Sequence, residues 1–511
     1  MDHQMHDIYH LIQSLKERGA TLLPENGQIR IQAPKGILSH EDVFMLRERK
    51  AVIIPILEDA ELDPRVPIGR RVPSSTVPLT ALQLRTWKTL RVHGPPQSMR
   101  IAYIAMRIEG PLDTFLMQHS LEVVVNRHEA LRARFLEKNG TPECRIYESP
   151  NWRFEVIDLS RFDGQEAEDE VRRLSGELIL ETFDLSIGPL FAVRLFKLPD
   201  CGHILILTLD HMISDGVSIE VLSHELWTLY RQRADDSPAL LPELPIQFPD
   251  YALWQQRTYA AWLRLHGSYW RQHFCAAPPT RIPHDERLSG VECPAGALLR
   301  VPFGDVLSVK LRELAHLGRT LPALVILAIY VVLMSRWCRQ RELIVSFPSD
   351  GRYRPELMGM IGWISGPLYL RVDVSENERF LDLVTRVTLE FTSAYDHYDF
   401  NRLPDLVPEC VTDLFFNCLP RFFCGSQPVG YPWQANNQLK ITPFAFTVPR
   451  PLAFAPFLLD CESGMTVVIE YRRDLFAPAT IENLGRNLRR FAKEFAFKPE
   501  ARVGSVFAKG M

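Results

Sequence analysis

The stretch Asp210-His211-Met212-Ile213-Ser214-Asp215-Gly216 decides how this chain is read. It closes an apolar run, residues 203–209 (His-Ile-Leu-Ile-Leu-Thr-Leu), whose length and composition predict a buried strand. Beyond Gly216 a helix-like run extends from 217 to about 233. A His, an Asp four residues on and a Gly after it therefore stand where a strand gives way to a helix. One imidazole can face a cleft there while the carboxylate turns inward and holds the loop. This layout suits acyl transfer, in which a base meets an amine or hydroxyl beside an activated carbonyl.

The rest of the chain bounds that reading. Its 511 residues suffice for two or three domains' worth of core. Hydrophobic residues make up 46% and charged residues 23%, the balance of a soluble globular protein. A net charge of -4 and a pI near 6.4 leave no basic excess to neutralise phosphates, so a nucleic-acid partner is not expected. The nine cysteines are scattered, without a Cys-x-x-Cys pair, which argues against a disulfide framework or a zinc site and for a reduced, cytoplasmic setting. The start, Met1-Asp2-His3-Gln4-Met5-His6-Asp7, is polar, with no apolar core after a basic start, so a signal peptide is not expected. The longest apolar run, residues 321–334, is shorter than the roughly 20 residues of a membrane span and reads as a buried helix. No membrane partner and no metal are expected. No GxGxxG, P-loop, GxSxG or HExxH pattern occurs.

Residues 1–60 read as a separate module. Ile8, Leu11, Ile12 and Leu15 recur at helical spacing. Two short extended runs flank Asn26-Gly27, a strong hairpin signal, with Leu22 and Leu23 on one arm and Ile29, Arg30 and Ile31 on the other. Ser39, with Asp42 three residues later, marks the N-cap of a helix expected to reach Leu57. So small a unit has little core and suits an interaction device better than an enzyme. Residues 61–77, with Pro64, Pro67, Pro73 and then Ser74-Ser75-Thr76, read as a linker. From Pro78 onward strand-like and helix-like runs alternate in a mixed α/β body, divided near residue 245 by a Pro-rich stretch into parts 78–245 and 246–511.

The body resembles a condensation domain of nonribosomal peptide synthetases. The likeness rests on motifs in order. Residues 78–87 (Pro-Leu-Thr-Ala-Leu-Gln-Leu-Arg-Thr-Trp) resemble the family's first motif, and Arg127-His128-Glu129-Ala130-Leu131-Arg132 its second, RHExLR. The stretch ending in Asp215-Gly216 resembles the third, HHxxxDG, and Asp250-Tyr251-Ala252-Leu253-Trp254-Gln255 the fourth. Gly351-Arg352, Pro355-Glu356-Leu357, Ile361-Gly362 and Leu370-Arg371 resemble the fifth. Residues 397–403 and Phe416-Asn417-Cys418-Leu419-Pro420 resemble later ones. The N-terminal module is similar to the TubC-like β-hairpin docking domains. The resemblance implies two chloramphenicol-acetyltransferase-like lobes in a V, with a tunnel between them and carrier proteins approaching from opposite faces. It implies an acyl or peptidyl carrier protein as partner, bound at the docking hairpin through a C-terminal short linear motif. Part of that affinity would come from strand addition. The acceptor would be a small molecule or a second carrier protein. The chain itself would bind no cofactor; the phosphopantetheine arm would come with the carrier.

The resemblance assigns roles by position. His211 matches the second His of HHxxxDG and is expected to position or deprotonate the acceptor. Gly216 is expected to offer its backbone N–H to a developing oxyanion. Asp215 is expected to be structural: a buried carboxylate needs a partner, and Arg352, Arg127 and Arg132 are the candidates. Asp210 departs from the family, which has His there, and is expected to shape the loop. With Asp215 and Ser218 it also spells DxxxxDxxS, a pattern of heterocyclisation domains that condense and then cyclise Cys, Ser or Thr. His211 and Gly216, and the ordinary motifs further on, favour plain condensation. Trp363, Ser365 and Gly366 are pocket candidates, Gly366 standing where the fifth motif usually has Asn. Trp254, Trp262 and Trp270 read as packing. No adenylation domain or Gly-Gly-x-Ser attachment site is found, so a free-standing enzyme is expected. It would form amides or esters in nonribosomal peptide or hybrid polyketide biosynthesis, antibiotic biosynthesis included. A non-catalytic domain that only recruits carrier proteins is the remaining rival.

Overall fold

The computed structural model describes residues 11, 14–15, 18, 20–25, 28–34, 37–50, 53–54, 67–74, 76–93, 101–148, 152, 154–180, 183–234, 241–285, 296–398, 412–419, 439–444, 453–461 and 464–507. In the N-terminal module β1 (Thr21–Glu25) and β2 (Gln28–Gln32) pair antiparallel, Leu22 opposite Ile31 and Leu23 opposite Arg30. The Asn26-Gly27 turn lies outside the described residues, as does the Leu23 side chain. Along β2, Ile29 and Ile31 are half-buried while Gln28, Arg30 and Gln32 are exposed, the period of two of a one-sided strand. Leu22 joins Leu15, Ala20, Leu46 and Ile53 in a small core. Helix α1 (His40–Glu48) begins with a reciprocal cap: Ser39 Oγ accepts the Asp42 N–H at 3.1 Å, and Asp42 Oδ2 accepts the Ser39 N–H at 2.8 Å. The helix ends at Glu48, short of the expected Leu57; residues 53 and 54 are helical again, and 55–57 lie outside the described residues. Arg18 forks onto both Asp42 oxygens at 3.0 Å, and these bonds hold the Asp42 carboxyl down to about 2.

The body has two cores. In the first, β3 (Thr76–Val77), β5 (Ala133–Lys138) and β6 (Thr141–Ile146) form a small sheet. The main sheet runs β14 (Lys440–Pro443), β4 (Ile101–Glu109), β9 (Gly202–Asp210), β8 (Phe191–Lys197) and β7 (Phe154–Asp158). β9 lies in the middle. Its Leu205, Leu207 and Leu209 belong to one apolar cluster with residues of α3 (Thr114–Arg127) and α5 (Gly216–Ala234). Its Ile204 and Ile206 cluster on the other face with α4 (Gly164–Leu180). Burial on both faces explains why β9 reads as a continuous apolar run rather than an alternating one.

The second core packs α7 (Gly304–Leu317), α8 (Pro322–Trp337), which is apolar up to Met334, α9 (Phe380–Asp396) and α10 (Pro478–Phe497) with two sheets. One sheet is β10 (Gly296–Pro302), β16 (Gly464–Arg472), β15 (Phe454–Cys461) and β13 (Asn417–Leu419); the other is β11 (Glu342–Ser349) with β12 (Gly366–Asp373). α8 contains all of the apolar run 321–334 except its N-cap Leu321, and its residues 324–334 are buried in this core. Among the described residues no single helix is long and apolar enough to cross a membrane.

The chain passes between cores along α6 (Phe248–Phe274), after α2 (Ala81–His93) has opened the body. Phe248, Tyr251 and Trp254 belong to the first core, and Trp262, Trp270 and Phe274 to the second. The crossing therefore lies inside α6, beyond the Pro-rich stretch near residue 245. The second half also returns to the first: Leu357, Met360, Ile361, Ile364, Leu439 and Ile441 all join the first core. The segment read as a linker is only partly a spacer. Its residues 67–74 lie along the body, fastened by Arg70 and Arg71, and Thr76-Val77 form β3. Proline forbids helix there but permits an extended strap, and composition does not reveal the cations that anchor it.

Candidate active site

The loop after β9 is closed by short-range bonds. The Ile213 N–H donates to Asp210 C=O at 3.0 Å and the Ser214 N–H to His211 C=O at 3.3 Å. Asp210 is fully buried. Its Oδ1 accepts the Met212 N–H at 2.8 Å and its carbonyl accepts the Ser214 hydroxyl at 3.0 Å. Its carboxylate therefore does the work of a turn former.

His211 is half-buried, and its Nδ1 lies 3.0 Å from the Ser214 carbonyl oxygen. A carbonyl only accepts, so Nδ1 carries the proton and the neutral ring keeps its lone pair on Nε2. Among the described residues Nε2 has no hydrogen-bond partner. The ring lies against Trp363, centroids 5.5 Å apart. In this tautomer Nε2 can accept a proton.

Asp215 turns the other way. It is fully buried and accepts from five N–H groups: Arg352 Nη1 at 2.9 Å and Nη2 at 3.1 Å, Ser218 at 2.8 Å, Ile364 at 3.0 Å and Ser365 at 2.9 Å. The Ser218 hydroxyl lies 2.7 Å from its Oδ1 and accepts the Gly362 N–H at 3.0 Å. Burial alone raises the Asp215 pKa; the Arg352 charge and these hydrogen bonds outweigh it, and the net direction is down. Arg352 Nη2 also donates to Met360 C=O at 3.0 Å. One buried ion pair thus joins the start of α5 to the 351–365 loop, which arrives from the second half between β11 and β12. Two glycines let that loop in. Gly351 has φ +68°, and a Cβ there would stand 2.6 Å from the Ile364 carbonyl oxygen; at Gly362 it would stand 2.0 Å from the Phe248 ring.

Of the three arginines offered by the sequence, only Arg352 reaches Asp215. Arg127 and Arg132 are corrected. Arg127 Nε donates to Glu225 Oε1 at 3.0 Å, and the buried His128 Nε2 lies 2.8 Å from Glu225 Oε2. Arg132 Nη1 donates to Tyr147 C=O at 2.7 Å. The competitor was Glu225, which the sequence reading passed over. Ser218, Leu222, Glu225 and Leu229 share the buried face of α5, and a carboxylate on such a face demands a cation. Trp363 stands beside His211, whereas Ser365 acts through its backbone N–H. Gly366 begins β12, and its carbonyl accepts the Tyr398 hydroxyl at 3.3 Å. Glu220 was also missed. It is half-buried one turn beyond Gly216, and its carboxyl is pushed up to about 8, by burial first, then by Asp215 and Asp350 against the pull of Arg352.

The family model described as Condensation domain matches residues 74–416. The chain belongs to the condensation-domain family. A second model, the TubC N-terminal docking domain, matches residues 8–59. Together they imply carrier-protein partners and place the body among condensation domains of the nonribosomal-peptide-synthetase type. A linear gramicidin synthase of Brevibacillus parabrevis is 27% identical over 486 residues, which are 92% of this chain but 6% of that protein. The X-domain from teicoplanin biosynthesis has the same fold, with TM-score 0.73 and 23% identity over 86% of this chain and 99% of that one. The EpoB cyclization-docking bidomain from Sorangium cellulosum matches with TM-score 0.68 and 19% identity over 98% of this chain and 100% of its own. At those identities the structural likenesses show the fold alone. They match the expected α/β condensation fold.

In this condensation domain the third motif carries Asp in place of its first His. Asp215 and Ser218 of the DxxxxDxxS pattern are bound into the Arg352 network, while Asp210 bonds to Met212 within its own loop. Among the described residues no group of three or more His, Cys, Asp or Glu is arranged to hold a metal ion.

Proposed function

We propose that this chain transfers an acyl group from a carrier-protein thioester to an amine or hydroxyl, forming an amide or an ester. The observation that carries the reading is the His211 ring, with Nδ1 held by Ser214 and Nε2 unengaged. The acceptor nitrogen or oxygen attacks the thioester carbonyl, and its proton passes to Nε2. The C–S bond then breaks, and the thiolate of the phosphopantetheine arm takes the proton. The arm is substrate and arrives on the carrier; the chain needs no cofactor of its own. The carrier is held by a short linear motif at its C-terminus, which adds as a strand to the β1–β2 hairpin through Ile29, Arg30 and Ile31. Docking raises the carrier's effective concentration at the site.

Gly216 is exposed at the first turn of α5, and among the described residues a Cβ there would meet no atom within 4 Å. Among the described residues its N–H makes no hydrogen bond, which leaves it to face the oxyanion. Gly216→Ala is expected to leave the melting temperature unchanged and to lower turnover at least tenfold, because the methyl enters space the substrate needs. Wild-type turnover in that variant would remove Gly216 from the reaction.

The whole reading is tested by incubating the protein with acyl-loaded carrier and a panel of acceptors, with products weighed by mass spectrometry. An adduct of acyl group and acceptor is expected. Loss of a further water with Cys, Ser or Thr would establish heterocyclisation instead. No adduct with any amine or hydroxyl would defeat the proposal.

A further inference from the structure

The strap that precedes the body is fastened to four acidic residues: Arg70 pairs with the exposed Glu243 at 2.6 Å, and the other three each lie in a different motif. Arg71 is nearly buried: its Nη1 donates to Asp250 Oδ1 and its Nη2 to Glu129 Oε2, both at 2.7 Å. The Arg71 backbone N–H adds a third bond to Asp250 Oδ1 at 3.2 Å. Three residues back, the Ile68 N–H donates to Glu356 Oε1 at 3.3 Å. The Ile68 side chain is buried in the apolar cluster that also holds Leu357, Met360, Ile361 and Ile364. Between them Arg70 donates to Pro245 C=O at 2.9 Å and Leu244 C=O at 2.7 Å. Glu129 follows α3, Asp250 opens α6, and Glu356 sits in the loop whose Arg352, Ile364 and Ser365 hold Asp215. That loop comes from the second half of the chain, so the strap ties it to the first core from outside.

We propose that residues 68–71 are a positioning strap for the active site. They fix the 351–365 loop against the first core and so keep Arg352 and the Ile364 and Ser365 N–H groups aimed at Asp215. The strap touches no reacting atom; it acts through Glu356, and the catalytic half of the claim rests on the acyl-transfer reading above. A misplacement of the loop by a fraction of its hydrogen-bond lengths would reach His211 through the start of α5.

The test compares Glu356→Ala, Glu356→Gln and Arg71→Ala in the full chain by amide hydrogen exchange and by turnover. Glu356→Ala and Arg71→Ala are expected to speed exchange about tenfold in residues 362–366 while residues 203–210 of β9 stay at the wild-type rate. The same two variants are expected to lower kcat about tenfold with KM for the loaded carrier within about twofold. Glu356→Gln keeps an oxygen to accept the Ile68 N–H and should restore both. Wild-type exchange in residues 362–366 of both alanine variants overturns the strap. So does an equal rise in 203–210, which would mean general loosening, and so does faster loop exchange with unchanged kcat. If the wild-type protein shows no turnover, the acyl-transfer reading fails by itself, and the exchange measurement still decides the strap.

Discussion

Replacing Arg352 with Ala lowers the stability of the chain by about 3–5 kcal/mol at pH 7. The size follows from burial: the Arg352 and Asp215 side chains are 1% and 0% exposed. Removing one partner leaves a carboxylate out of water with its counter-charge gone, which costs more than the pair itself contributes. The pH dependence carries a sign. In the wild type the Asp215 pKa is lowered below its ordinary value of 3.8, so the pair's contribution is present above about pH 4 and is lost on further acidification. In Arg352→Ala, burial is no longer offset by the guanidinium, and the Asp215 pKa moves up. A raised carboxyl favours the folded state at low pH, so the variant's deficit shrinks as the pH falls from 7 towards 4. Urea unfolding of both proteins across that range measures it. A deficit below 1 kcal/mol, or one that does not narrow on acidification, would sink the account of Asp215 as a buried structural anion.

His211→Ala has the opposite profile, with a large loss of rate and a small loss of stability. The side chain gives up one hydrogen bond to Ser214 C=O and its contact with Trp363, worth about 1 kcal/mol. No buried charge is left unpaired. The rate loses a positioned base, typically worth about 10²–10⁴-fold. Initial rates at saturating loaded carrier, beside a melting curve, separate the two effects. Turnover within threefold of wild type in a folded variant would contradict the assignment.

The local parts of this architecture were legible in the sequence. Residues 203–209 read as a buried strand because both faces of β9 are covered, and the helix from Gly216 followed from what came next. That Asp215 is buried followed from its place behind a His expected to face a cleft. What pairs with it did not. Arg352 lies 137 residues away, and nothing in local periodicity separates it from Arg127 and Arg132. Only Glu225, an acid on a buried helical face, could have shown that Arg127 was already claimed. The strap hid for the same reason. Proline and serine content predicts an extended segment without saying what its cations grip. The exchange of segments between halves, with β14 joining the first sheet and the 351–365 loop entering the first core, is long-range pairing that no window of neighbouring residues encodes.

The central claim is that the site beside His211 moves an acyl group, rather than merely holding the protein that bears it. Single-turnover discharge of an acyl-loaded carrier, followed by intact-protein mass spectrometry with and without an amine acceptor, tests it directly. The account predicts that the acyl mass leaves the carrier and appears on the acceptor only when chain and acceptor are both present. A carrier that binds tightly yet keeps its acyl group throughout would contradict it and leave a recruitment domain in its place.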